Sequence, residues 1–135
     1  MFRTMLVDDN HYFRKWVKDT LKSQFPAMDV VEAADGVKAF QEIDSHPPHV
    51  IFMDIRLPGG SVLEITRKIK SDYPDIMIII LTIHDLPEYR EAATRYGAEY
   101  FLSKNSIATD EISTLGQSIL LEKGFREDGS DEQIF

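Results

Sequence analysis

The sequence contains no cysteine, which excludes disulfide frameworks, thiolate zinc sites and cysteine nucleophiles. It has no basic excess either. Fifteen Lys and Arg stand against 23 Asp and Glu in 135 residues, a net charge of −8. Nucleic-acid phosphates need clustered Lys and Arg, so direct nucleic-acid binding by this chain is not expected. Long apolar runs are also missing. The longest, Ile76 to Leu81, is far shorter than the roughly 20 residues that cross a bilayer. Met1-Phe2-Arg3-Thr4 does not open a signal peptide. These absences lead us to expect a soluble, cytoplasmic protein with no membrane association. No stretch carries the acidic pattern of an EF-hand calcium loop. The four histidines, His11, His46, His49 and His84, show no metal-ligand spacing. What remains is a 43% apolar, 28% charged chain, long enough to fold around one core without cross-links.

Short apolar runs alternate with amphipathic stretches. Met5-Leu6-Val7, Val30-Val31, Val50-Ile51-Phe52-Met53, Ile76 to Leu81 and Tyr100-Phe101-Leu102 read as strands. Between and after them, apolar residues recur at helical spacing. Phe13, Trp16, Val17 and Leu21 make one such set, expected to face the core. Val37, Phe40 and Ile43 make a second, and Val62, Ile65 and Ile69 a third. Tyr89, Ala92, Ala93 and Tyr96 follow, then Ile112, Leu115 and Ile119. Pro87 suits a first helical turn, and Gly97 suits a C-terminal cap. Leu57-Pro58-Gly59-Gly60 reads as a loop. Five β-α units imply an α/β fold, doubly wound, with a parallel sheet covered by helices on both faces. Residues 1–124 form the expected domain. Residues 125–135 read as an acidic tail, either a frayed end or a linker remnant.

In open α/β sheets, ligands bind beyond the carboxyl ends of the strands. At those ends stand Asp8 and Asp9, Asp54, Thr82 and, just past the fifth strand, Lys104. Asp8-Asp9 could simply cap the next helix, and Thr82 could simply cap a turn. Set side by side, however, these strands would gather three carboxylates, a hydroxyl and an ammonium. Two carboxylates about 4 Å apart repel by roughly 4 kcal/mol at an effective dielectric of 20. Lys104 offsets one of the three negative charges, leaving 3 − 1 = 2, and a divalent cation would balance the remainder. Mg²⁺ (or Mn²⁺) fits an all-oxygen site that also takes phosphate oxygens. A carboxylate beside Mg²⁺ and a lysine can accept a phosphoryl group as an acyl phosphate. If Thr82 moved to reach that group, the rim would switch between two arrangements.

Four segments carry a family resemblance: Met5-Leu6-Val7-Asp8-Asp9-Asn10, Met53-Asp54-Ile55-Arg56-Leu57-Pro58-Gly59, Leu81-Thr82-Ile83-His84-Asp85 and Gly97 to Lys104. Asp54 lies 45 residues after Asp9, Thr82 28 further, and Lys104 22 further still. In order and spacing the chain resembles the response-regulator receiver domain of two-component signalling. Thr82-Ile83-His84-Asp85 and Leu63-Glu64-Ile65-Thr66 are similar to receivers of the LuxR-type (NarL-FixJ) DNA-binding subfamily. The resemblance implies a flavodoxin-like (βα)5 fold with sheet order 2-1-3-4-5. It implies that Asp54 is the phosphoacceptor, taking its phosphoryl group from a histidine kinase or phosphotransfer protein. Asp8, Asp9, Asp54 and the Arg56 backbone carbonyl would hold Mg²⁺, with Asp8 acting largely through water. Thr82 and Lys104 would bind the phosphoryl group, and Thr82 and Phe101 would form the switch. Arg56 and His84 would tune phosphoryl lifetime. Such a domain is a phosphoacceptor signalling module rather than an enzyme with an external substrate. Its output is a homodimer, another protein contact, or transcription control through a DNA-binding domain.

Other classes share parts of this pattern. A flavodoxin-like cofactor binder needs donors around a phosphate after the first strand, where Asp8-Asp9-Asn10 offers carboxylates. A phosphatase working through an aspartyl phosphate needs an acidic residue two positions after its nucleophile, where Arg56 stands. A receiver acting only as a scaffold stays open on Ile83, whose bulk beside Thr82 could cover the site. Asn105 stands where many receivers have proline, and Phe101 lacks the hydroxyl of a switch tyrosine. Gly116 costs its helix about 1 kcal/mol relative to Ala; either it permits close packing or it has no role.

Overall fold

The computed structural model describes residues 1–56, 61–105, 107, 109–126 and 128–130, with Thr109 described by its backbone alone. The Leu57-Pro58-Gly59-Gly60 loop and the last five residues lie outside the described residues. Five strands alternate with five helices: β1 (Arg3–Val7), α1 (His11–Gln24), β2 (Asp29–Ala33), α2 (Gly36–Ser45), β3 (Val50–Asp54), α3 (Val62–Asp72), β4 (Met77–Thr82), α4 (Pro87–Arg95), β5 (Tyr100–Ser103) and α5 (Thr109–Glu122). All strand pairs are parallel, in the order β2-β1-β3-β4-β5.

Alternate strand residues feed two separate cores, as the two-residue period of a strand requires. Met5, Val7, Ile51, Met53, Ile78, Ile80 and Phe101 pack with Ile43 of α2, Ile65 and Ile69 of α3, and Ala93 of α4. Leu6, Val50, Phe52, Ile79 and Leu81 pack with Val17 and Leu21 of α1 and with Ile112 and Ile119 of α5. With both faces covered, every residue of β3 and β4 is buried. That accounts for their unbroken apolar runs. Tyr100 and Phe101 point to opposite sides: Tyr100 is exposed and Phe101 buried.

Two helical faces differ from the sequence reading. Trp16 is 37% exposed and Val37 62% exposed. Neither belongs to the core, because α1 turns Val17, Thr20 and Leu21 inward and α2 turns Gly36, Ala39 and Ile43 inward. Gly36 lies so close to α3 that an added Cβ would sit 2.9 Å from Ile65 Cδ1. The close approach of α2 is thus set by small residues, and the larger Val37 is left in solvent. Pro87 opens α4 as expected. Gly97, at φ +106°, closes it in a conformation that favours glycine. Gly116 sits where α5 meets Phe25, and a Cβ there would be 2.7 Å from the Phe25 ring. Its role is close packing.

The described part of the tail folds back rather than fraying. Phe125 meets Phe2 edge-on at 5.0 Å between ring centroids, and the Asp128 carbonyl accepts a hydrogen bond from Ala27 N at 3.1 Å.

Candidate functional site

Strand register sets the height of each functional residue. Val7 pairs with Met53, so Asp8 and Asp54, the next residue on each strand, stand level at the β1–β3 crevice. This is where the chain order reverses, with α1 and α2 departing to opposite faces, and where such sheets open a binding cleft. Asp54 pairs with Leu81, which puts Thr82 one step further along. Thr82 pairs with Ser103, which puts Lys104 a step beyond that. Residues far apart in sequence thereby meet on one rim.

Carboxylate oxygens of Asp8, Asp9 and Asp54 all lie within 4.8 Å of one another. Asp8 is 3% and Asp54 9% exposed, whereas Asp9 is open to solvent. Lys104 Nζ donates to Asp8 Oδ2 at 2.5 Å and to Asp54 Oδ2 at 2.7 Å. It also lies 4.3 Å from the centroid of the Phe13 ring. The other oxygen of each buried carboxylate accepts a backbone N–H: Asn10 N donates to Asp8 Oδ1 and Arg56 N donates to Asp54 Oδ1, both at 2.8 Å. Burial pushes the Asp8 carboxyl up from its ordinary value, only partly countered by the Lys104 and Asn10 hydrogen bonds. Burial also works against the Lys104 charge. There the hydrogen bonds that Lys104 donates to Asp54 and Asp8, with the attraction of the two carboxylates, outweigh it, and the ammonium pKa ends above its usual value. Lys104 is therefore a firm cation at neutral pH, and Asp8 a reluctant anion that another positive charge would relieve.

The cap reading of Asp8-Asp9 fails. The α1 N-cap is Asn10, whose side chain accepts from Phe13 N at 3.0 Å, so both aspartates are left to the rim. Thr82 is 1% exposed, and its Oγ1 accepts from His84 N at 2.8 Å; it does cap its turn. Two contacts tie that turn to the end of β5: Lys104 N donates to the Thr82 carbonyl at 2.8 Å, and Asn105 Nδ2 to the Ile83 carbonyl at 3.1 Å. Ile83 is 55% exposed beside Thr82, and Arg56 is exposed as well. Phe101 lies under the guanidinium of Arg90.

Three contributors escape sequence reasoning. Phe13 reads as plain core, yet its ring meets the Lys104 ammonium. Arg14 donates to the Asp8 carbonyl at 2.5 Å and to Glu32 Oε1 at 3.1 Å, so it holds the loop that presents the carboxylates. Glu32 becomes its partner only because β2 lies beside β1, with Leu6 opposite Glu32. Arg90 carries no sequence signal at all, since its contacts depend on how α4 lies over β5.

Residues 4–115 match the response regulator receiver domain family. The oxygen regulatory protein NreC of Staphylococcus carnosus is 39% identical over 115 residues, 84% of this chain and 52% of that protein. The transcriptional regulatory protein DegU of Brevibacillus brevis is 35% identical over 101 residues, 74% of this chain and 42% of that protein. A crystal structure of a LuxR-family two-component response regulator from Aurantimonas sp. SI85-9A1 superposes with a TM-score of 0.76. It is 30% identical and covers 92% of this chain and 86% of its own. The chain thus spans about half the length of these curated relatives.

Proposed function

Because this chain belongs to the response regulator receiver domain family, we propose that its Asp54 accepts a phosphoryl group from a histidine kinase or phosphotransfer protein. The change at Asp54 would then reset the β4–β5 face toward an output. The observation that carries the proposal is the rim itself: Asp8, Asp9 and Asp54 converge, and one lysine bridges the two buried carboxylates.

The donor set also fits a divalent cation. It is all oxygen, it keeps two negative charges after Lys104, and it has one solvent-facing member, Asp9, through which hydrated Mg²⁺ or Mn²⁺ can enter. Asp8, Asp9, Asp54 and the Arg56 carbonyl would hold it. When bound, the ion supplies neutralisation of charge on the transferring phosphoryl oxygens. The chain's own residues do the rest. An Asp54 carboxylate oxygen attacks phosphorus, the P–O bond forms as the donor's P–N bond breaks, and the electron pair leaves with the imidazole. The Lys104 ammonium moves from Asp54 to the incoming phosphoryl oxygens, and the Thr82 hydroxyl donates to another. Thr82 and Phe101 then form the switch. Phosphoryl loss by hydrolysis is slow and is tuned by Arg56 and His84, which flank the rim. The module catalyses only its own phosphorylation and dephosphorylation.

A cytoplasmic setting belongs to this reading, as does an output through dimerisation or through a DNA-binding domain in a longer protein. The net charge of −8 leaves nucleic-acid contact to such a domain. The test is intact-mass spectrometry after incubation with Mg²⁺ and a small acyl phosphate, and then with a phosphorylated kinase domain, because Ile83 can hinder small donors. One added phosphoryl group, lost with Asp54→Asn and with chelator, is the expected result. No addition from either donor overturns the proposal and leaves a scaffold.

A further inference from the structure

We infer that Arg90 is a positioning residue that latches Phe101 and the β4–α4 loop together. Three contacts of one guanidinium converge. Its Nη2 donates to Asp85 Oδ1 at 2.9 Å, its Nη1 donates to the Phe101 carbonyl at 3.3 Å, and its central carbon lies 4.8 Å from the Phe101 ring centroid. An exposed Arg–Asp pair alone contributes little. Here, though, the planar group also covers a ring that is 7% exposed, and a guanidinium can stack and donate in two directions at once, which an ammonium cannot.

The latch connects to the rim through a loop that is bonded within itself. His84 N donates to Thr82 Oγ1 and Leu86 N to the His84 carbonyl, so the residues on either side of Asp85 are tied back to Thr82. Lys104 and the Arg56 N–H each engage one oxygen of the Asp54 carboxylate. For its consequence, though not for its geometry, the inference rests on the proposed phosphoryl transfer. When Thr82 reaches toward a group on Asp54, Asp85 is carried with it. Arg90 cannot then keep both Asp85 and Phe101, and the outer face of the ring is uncovered. Arg90 thus weights the equilibrium toward the unmodified form, and its removal shifts the population the other way.

The experiment measures affinity for beryllium trifluoride, a phosphoryl mimic, in the presence of Mg²⁺. Arg90→Ala should bind about three- to tenfold more tightly than the parent. Arg90→Lys should fall between them. Asp85→Asn should tighten binding too, and Asp85→Asn combined with Arg90→Ala should bind no more tightly than Arg90→Ala alone. A role confined to stability would lower the melting temperature without moving these affinities, and equal affinities overturn the latch. A second measurement, ¹³C NMR of the labelled Phe101 ring, does not need the mimic. Arg90→Ala should change the ring's exchange or populate a second conformer, and an unchanged resonance also overturns the inference. A parent that takes no mimic counts against the proposed function alone, and the ring signal still decides the role of Arg90.

Discussion

At the scale of single residues, Lys104 is the charge that lets three carboxylates share one rim. Its pKa is raised above the ordinary lysine value. Its contribution to stability is therefore fully present below that ordinary value and is lost only as pH rises through the higher, folded one. At neutral pH, Lys104→Met leaves two buried carboxylates without their partner. It should lower the unfolding free energy by roughly 3 kcal/mol in urea titrations without divalent cations; an unchanged midpoint would show that the pair is neutral to stability. Arg56 and His84 lie off this network, apart from their backbone N–H groups. Arg56→Ala and His84→Ala should change the decay rate of phosphorylated protein by several-fold or more and leave the fold intact, as followed by mass spectrometry against time and by circular dichroism. Decay rates equal to the parent's would remove both from lifetime control. The rim residues themselves were legible in the sequence because each stands at or just past the end of an apolar run. Arg14 and Arg90 were not, because an arginine on a helix does not announce which strand end or ring it will meet.

At the scale of elements, the contact of α1 with β2 rests in part on Glu32. Its carboxyl feels burial most, which would raise its pKa, but hydrogen bonds from Arg14 and Lys18 outweigh this and hold it below its ordinary value. The linked stability is thus present above the unfolded carboxyl pKa, about 4.5, and is lost as pH falls through the lower folded value. Glu32→Gln should flatten that acid limb in urea titrations between about pH 6 and pH 3; a parallel limb would show that Glu32 contributes nothing to it. The joint between α1 and α5 depends on a missing side chain. Ala at position 116 is the better helix former by about 1 kcal/mol, yet its Cβ would sit 2.7 Å from Phe25, a ring 4% exposed within the core. Gly116→Ala should therefore destabilise by about 1–3 kcal/mol, and Phe25→Leu in the same chain should recover part of the loss. A more stable Gly116→Ala would mean that Phe25 yields without cost. The order and type of all ten elements were readable from periodicity and turn residues. The inward faces of α1 and α2 were read only in part, because Trp16 and Val37 fit the helical spacing as well as the residues that are buried. Spacing marks a stripe, whereas closeness of approach decides which edge of it is covered.

At the scale of the whole molecule, the acidic rim and the fold should be linked through a bound cation. An ion that binds only the folded chain, at a hundred times its dissociation constant, adds about 2.7 kcal/mol to stability. Mg²⁺ should raise the melting temperature, chelator should reverse the rise, and Asp9→Asn, a change at an exposed residue, should weaken it with little effect on the metal-free melt. An Mg²⁺ response that persists undiminished in Asp9→Asn would move the ion to another site. Local pattern alone was enough to determine an alternating α/β chain, its two-sided burial, the residues at its strand ends and the charge deficit among them. Those properties are written in periods of two and of roughly four residues and in the chemistry of single side chains. Only the tertiary structure decided that Asp8 and Asp54 stand level, that Lys104 bridges them, that Asn10 rather than an aspartate caps α1, and that Arg90 covers Phe101. Each of these follows from strand register or from how a helix lies on the sheet, and both are set by packing between segments that local sequence does not relate.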